Sequence, residues 1–206
     1  MTTFNPYVIT NVQDGFSVQS QGYWQGDLQD DPAVRFALSA GVVASTQATP
    51  IWGGVAVYES TAGSSTYDAV QGGAAPTIAS AYDDGAGHQY LSGFTVFNGS
   101  YSLPTTPQSP VPMANAGNSF NFIRLGTGAR VVVACDSTIL ALVGSDNPQT
   151  IYWDVTNLRL TTTATSNIAL KVTLLDVTSN GASVSYNSGT GFATWNTSGS
   201  VAVIII

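Results

Sequence analysis

Apolar and polar residues alternate along several stretches of this chain, which is the two-residue period of a β-strand. The clearest case is IALKVTLLDV, where the apolar side chains fall on one face and Ala169, Lys171 and Thr173 on the other. Asn180-Gly181 follows it, a dipeptide that favours a two-residue hairpin turn. SGTG and TSGS then divide the rest into short strands. The pattern predicts a four-stranded antiparallel meander.

Further strands are predicted upstream, at FNFIRL, ARVVVAC, STILALV and TIYWDVTNLRLTTT. Their spacing and the short Gly-containing turns between them are typical of all-β proteins. We therefore predict an all-β fold in which residues 119–206 form an antiparallel β-barrel or sandwich. IWGGVAVYES and QYLSGFTVFNG indicate additional strands in a less regular, β-rich N-terminal region.

The last residues, VAVIII, are apolar on both faces of the strand that they predict. They are too few to span a bilayer, which needs about 20 apolar residues, so we expect no membrane association. A strand exposed to water on one side would alternate with polar residues. We therefore expect this strand to be covered twice, by its own core and by another subunit, with Val203 and Ile205 as interface candidates.

A Pro-rich stretch, YSLPTTPQSPVPM, interrupts the strand pattern. Proline removes a backbone donor and fixes φ, so this stretch is extended and is not a central strand. It predicts three parts: a β-rich region with an extended arm and Gly/Ala/Ser-rich loops (1–100), a connector (101–118) and the barrel or sandwich (119–206). The connector is either a linker or a segment laid across a single core. Pro107 and Pro110 are candidate contacts with a partner.

The composition of the chain argues against a nucleic-acid partner and against an internal disulfide framework. Only 8% of the 206 residues are charged and the net charge is −7. Nucleic-acid binding relies on clusters of Lys and Arg, and the five basic residues here are scattered, so no nucleic-acid partner is expected. One cysteine, Cys135, excludes an internal disulfide framework. No basic and apolar leader opens the sequence, so we expect synthesis in the cytoplasm without processing.

Candidate chemistry is sparse, and we predict no catalytic, cofactor-binding or metal-ligating residue. CDSTIL resembles the start of an aspartic-protease signature, but the required glycine and second copy are missing. His88 is the sole histidine and no Gly-x-Ser-x-Gly elbow accompanies it. Two acidic clusters leave an ion site open, with exposed turns or helix capping as the simpler interpretation. Their members are Asp27, Asp30 and Asp31, and Asp83 and Asp84.

Aromatic residues on Gly-rich, weakly charged backbone are the remaining signal. Trp24 lies among glycines and glutamines, and Trp52 precedes Gly53-Gly54. Tryptophan suits interfaces because it brings a large apolar area and one polar group. It suits stacking on carbohydrate as well, and core packing is the alternative for each single residue. Both tryptophans are therefore interface candidates.

Several blocks resemble the small virion structural proteins of tailed bacteriophages, of the capsid cement or decoration type. These blocks are FNPYVITNVQDGFSVQSQGYWQGDLQDDPAVRFALSAGVV, PIWGGVAVYE, TPQSPVPM and GFATWNTSGSVAVIII. The resemblance implies a β-rich protein on the capsid exterior of the virion. It implies binding to the major capsid protein, often as a homotrimer, and reinforcement of the shell. No catalytic residue is carried over from it.

Two other classes stay open. A tail-associated or receptor-binding phage protein would share the β-structure, the aromatic residues and the Ser/Thr/Asn/Gly surface. A virion-borne glycosidase would need two carboxylates across a cleft, and Glu59 is the only glutamate. We therefore expect a protein that is not an enzyme.

Overall fold

The computed structural model describes residues 23–29, 37–60, 77–79, 91–97, 109–142 and 150–206, with 77–79 described by their backbone alone. These residues form thirteen strands and one four-residue helix. The predicted all-β class is confirmed, and the sheets are mainly antiparallel.

Five strands close into a small barrel in the order β1, β4, β3, β5, β7. The pair β1 and β4 is parallel and the other four pairs are antiparallel. Phe94, Phe122 and Ile123 are fully buried there, so the predicted FNFIRL strand carries a core face. The barrel strands are β1 (Leu38–Val43), β3 (Ala56–Ser60), β4 (Thr77–Ala79), β5 (Gly93–Thr95) and β7 (Ser119–Arg124).

Two smaller sheets flank it. One pairs β2 (Ile51–Trp52) with β6 (Met113–Ala114). The other has β9 (Ile151–Asp154) between β10 (Arg159–Thr161) and β11 (Ile168–Leu170). The predicted strand TIYWDVTNLRLTTT is therefore two strands, because Asp154 accepts hydrogen bonds from Thr156 N and Asn157 N at 2.9 Å and closes a turn.

STILALV, predicted as a strand, begins as a helix instead: α1 spans Ser137–Leu140. Asp136 stands at its N-cap and its carboxylate accepts from Thr138 N at 2.9 Å and Ile139 N at 3.2 Å. An aspartate that satisfies the first free amides starts a helix where periodicity alone indicates a strand. Asp136 in CDSTIL therefore has a structural role as the cap of this helix.

The last sheet has the order β12, β13, β8 and contains the two longest strands. Its strands are β8 (Arg130–Ala134), β12 (Thr173–Asn187) and β13 (Phe192–Ile205). The predicted hairpin at Asn180-Gly181 is wrong, since β12 continues through it with a register shift. The turn lies at residues 188–191, where Gly191 has a φ of +73°.

The end of β13 is held by the sheet on both sides of the strand. It pairs with β12 and β8, and Ile206 N donates to Ala129 O at 3.0 Å while Gly128 N donates to Ile206 O at 2.6 Å. VAVIII thus forms a strand, as predicted, and this strand lies at the centre of its sheet.

One contiguous cluster of buried side chains includes residues from both sides of the Pro-rich connector. Val43 and Val57 belong to it from the N-terminal side, and Ile204 from the C-terminal side. Ser109 Oγ accepts a hydrogen bond from Ala193 N at 3.1 Å, and Val111 is fully buried. These contacts favour the second interpretation of the connector, a segment laid across a single core.

Candidate interaction surface and cavity

Residues 23–29, here called the strap, join the two outer strands of the β12–β13–β8 sheet. Gln25 N donates to Ala182 O on β12 at 2.8 Å, and the next amide, Gly26 N, donates to Val132 O on β8 at 2.8 Å. Val132 N donates back to Asp27 O at 3.0 Å. Consecutive amides thus bind strands on opposite sides of β13, which fixes the strap across that strand.

Side chains add to this attachment. Gln25 is buried, and its Oε1 accepts from Val184 N at 2.8 Å. Tyr23 donates its hydroxyl to Asp176 Oδ2 at 2.7 Å. That hydrogen bond to a carboxylate, followed by partial burial, raises the pKa of Tyr23 above its ordinary value. The strap is therefore held at both its backbone and its side chains.

The strap covers the second apolar face of the terminal strand. Val132, Val201 and Val203 form a separate buried cluster, and Tyr23 packs against it. Val203 is 4% exposed in the chain by itself, so the cover that we expected from another subunit comes from within the chain. The physical reason is that a segment far away in sequence crosses the sheet. Ile205 is partly exposed, and its interface role stays a prediction.

Trp24 is an interface candidate with an accessible side chain, since 40% of its surface is exposed. Its ring meets Trp195 edge to face at a centroid distance of 4.8 Å, and Trp195 meets Phe97 at 5.7 Å. We call these three residues the aromatic patch. The sequence did not identify Trp195 and Phe97 as members of this patch. Both lie in predicted strands, but the local sequence does not show that their side chains lie next to Trp24.

Trp52 lies elsewhere and is only 5% exposed. Its ring packs against Tyr186 at a centroid distance of 5.5 Å. Trp52 is therefore mostly buried within the chain, and its interface role stays a prediction. Pro110 is exposed between buried Ser109 and Val111, and Pro107 lies outside the described residues.

Two surface cavities meet at Trp52. The first, here called the Trp52 cavity, has a volume of about 330 Å³ and lies between the β9–β10 turn and strands β12 and β13. The second, of about 460 Å³, shares Trp52, Asn157, Leu158 and Val184 with it. Five of the thirteen residues that line the Trp52 cavity are serine or asparagine, so the cavity offers several polar groups to a ligand.

Burial and hydrogen bonds within the chain shift the pKa values of two titratable groups near this cavity. Burial, and then the charge of Asp136, raise the pKa of the Cys135 thiol to about 12. Although burial opposes ionisation, hydrogen bonds from Thr138, Thr161 and Ile139 hold the pKa of Asp136 below its ordinary value. A thiol with a pKa raised in this way is mostly protonated at neutral pH, and the thiolate is the nucleophilic form.

Glu59, which the hydrolase interpretation would need, forms a bidentate pair with Arg124, with nitrogen–oxygen distances of 2.6 and 2.8 Å. Asp27 accepts from Leu28 N and Gln29 Nε2. Within the described ranges, no three His, Cys, Asp or Glu residues come together to hold a metal. Asp30, Asp31, Asp83, Asp84 and His88 lie outside the described residues.

In the part of the chain that the structure describes, no helix has the length and apolar character needed to cross a membrane. No protein-family model, curated protein or solved structure matches this chain. The sequence resemblance and the geometry of the aromatic patch and the cavities therefore carry the functional conclusions.

Proposed function

We propose that this chain is a non-enzymatic virion structural protein of the cement or decoration type. It binds the outer surface of a phage capsid shell through the major capsid protein and stabilises the shell. It acts as a homo-oligomer, with a trimer favoured. The block resemblance motivates this proposal, and the aromatic patch supplies the surface that supports it.

The observation that carries the proposal is an exposed tryptophan on a fixed support. Large aromatic side chains dominate binding energy at interfaces when a partner desolvates them. Trp24 is held by backbone hydrogen bonds of the strap on either side of it and by the edge of Trp195. A residue that is already ordered loses little conformational entropy on binding, so the patch suits repeated attachment to identical shell subunits.

Carboxylate geometry is consistent with a structural role. Asp136 and Asp154 both accept hydrogen bonds from backbone amides of their own turns. A carboxylate used in this way closes a turn or starts a helix and is held in its ionised form. Such a group is poorly suited to general acid catalysis, which needs a raised pKa.

The first test is the copy number of the protein in purified virions, measured by quantitative mass spectrometry against the major shell protein. We expect near parity, or a fixed fraction set by shell symmetry. A handful of copies would move the protein to the tail. Complete absence would remove the virion proposal altogether.

Shell binding tests the aromatic patch directly. Replacing Trp24 by Ala should weaken co-sedimentation with purified shells at least about tenfold, as expected for a central aromatic anchor. Phe192→Ala is the matched control, because Phe192 is 42% exposed and lies outside the patch. Equal binding of both variants, with unchanged melting temperatures, would contradict the role of the patch.

A tail-associated or receptor-binding phage protein is the second candidate. The Trp52 cavity favours it, since a polar cavity lined by serine and asparagine suits a surface sugar. Low copy number together with binding to host cells would support this candidate.

A further inference from the structure

We propose that the Trp52 cavity binds a neutral, hydroxyl-rich saccharide. This site is separate from the aromatic patch, and the inference does not depend on whether the protein lies on the shell or the tail. Its volume of about 330 Å³ falls within the range of small-molecule sites.

The lining supplies both hydrogen-bond donors and acceptors. Asn157 Nδ2 already donates to Asp154 Oδ2 and Asn196 Oδ1 already accepts from Ser198 N, which leaves Asn157 Oδ1 and Asn196 Nδ2 for a ligand. Serine hydroxyls both donate and accept. A sugar ring presents the same mixture of groups, so each can be matched. These side chains come from the β9–β10 turn, β12 and β13, and are Asn157, Ser183, Asn196, Ser198 and Ser200.

Two buried nitrogens point to the same cavity. Among the residues that the structure describes, Trp52 Nε1 and Arg159 Nε are the buried side-chain polar atoms without a hydrogen-bond partner. Both residues line the Trp52 cavity. Buried donors are almost always paired in native structures. Both atoms are donors with almost no accessible surface, so an acceptor oxygen of a ligand reaches them only when these side chains turn toward the cavity.

Charge argues for a neutral ligand. Arg159 is the one cation in the lining, and Asp154 Oδ2 lies 3.9 Å from its Nε. The neighbouring carboxylate offsets this charge, and the whole chain carries a net charge of −7. Recognition of phosphate normally uses bidentate arginine or several cations, so the lining fits hydroxyl oxygens better than an anion.

Backbone strain marks the wall that both cavities share. Leu158 has a φ of +53°, in the left-handed region that non-glycine residues rarely adopt. Leu158 N donates to Asp154 O at 2.9 Å, which holds this conformation and places Asn157 at the rim. Strained residues of this kind cluster at binding sites. The adjoining second cavity gives room for a saccharide of more than one ring.

Saturation-transfer NMR on the full chain tests the site, with D-glucose, D-galactose, N-acetyl-D-glucosamine and lactose as probes. Sodium phosphate and sodium acetate serve as anionic comparators. Ser198→Trp places a large side chain in the cavity at an exposed position. Thr197→Trp is the matched control, since Thr197 is its exposed neighbour and does not line the cavity. Arg159→Met removes one of the unpaired donors.

We expect at least one sugar to bind, with affinity lowered at least about tenfold by Ser198→Trp. Arg159→Met should weaken binding severalfold, and Thr197→Trp should leave it unchanged. No transfer to any sugar, transfer to phosphate or acetate alone, or equal binding by all variants would overturn the proposal. Copy number in virions is a separate readout, so failure here is distinguishable from failure of the shell proposal.

Discussion

At the scale of single residues, Gly181 shows how closely the strap and sheet approach. A Cβ built on Gly181 would lie 2.1 Å from Val201 Cγ2 and 3.0 Å from Tyr23 O. Val201 is buried and β-branched, so it has little freedom to move. We expect Gly181→Ala to lower the free energy of unfolding by about 1–3 kcal/mol.

Urea unfolding measures this effect, and Gly189→Ala is the control. Gly189 lies in the exposed 188–191 turn, where the nearest contact of an added Cβ is Asn187 Oδ1 at 3.3 Å. The control should change stability by less than about 0.5 kcal/mol. A Gly181 variant as stable as the control would contradict the close crossing of strap and sheet.

Cys135 gives a prediction on pH. Burial, and then Asp136, raise the pKa of its thiol from 9.0 to about 12. The unfolded chain therefore loses this proton first as the pH rises, and unfolding becomes easier. The contribution of Cys135 is fully present below pH 9 and is lost as the pH approaches 12.

Cys135→Ala isolates this contribution from the tyrosines, which ionise in the same range. Unfolding measured at neutral pH and again inside this window should show a smaller alkaline loss in the variant. The same loss in both proteins would mean that the thiol is already ionised in the folded state.

At the scale of elements, the strap can be tested through Gln25. Removing the Gln25 side chain leaves Val184 N without its acceptor, which costs about 1–3 kcal/mol for a buried donor. Gln29→Ala is the matched control on the same segment, because Gln29 is exposed and its side-chain amide donates to the neighbouring Asp27. Equal melting temperatures for the two variants would show that the strap adds no stability.

Strand existence was largely predictable from the sequence, and strand ends were not. The alternation in IALKVTLLDV and the apolar run in VAVIII reflect local faces, which periodicity reports, but IALKVTLLDV is divided between β11 and β12 rather than forming one strand. The hairpin predicted at Asn180-Gly181 does not form, because Gly181 pairs with Gly199 on β13. Two turn-like sequences lie opposite each other there, and the pairing of β12 with β13 shifts register instead of ending. The strap left no local signal, since Gln25 and Val184 are 159 positions apart.

At the scale of the whole molecule, buried residues from both halves of the chain form one core, so we expect the full chain to unfold in a single transition. Buried residues of the C-terminal half pack in the same cluster as Val43, Val57 and Phe94. A fragment of residues 119–206 should therefore lack the cooperative unfolding of the full chain. Near-UV circular dichroism during urea titration measures this. A fragment that unfolds cooperatively at the same midpoint would restore the division into separate parts.

The position of the strap near the start of the chain means that it is made long before the strands that it binds. Its residues leave the ribosome about 150 positions before β12, the later-made of the two strands that they join, as the separation of Tyr23 and Asp176 shows. At about 5–20 residues per second, the segment waits roughly 8–30 s for its partners. Contacts so distant in sequence also slow folding after release. Until β13 is made, the strap and Val132 therefore lack the strand against which they pack, and during heavy expression this interval is when chaperones or aggregation compete for them.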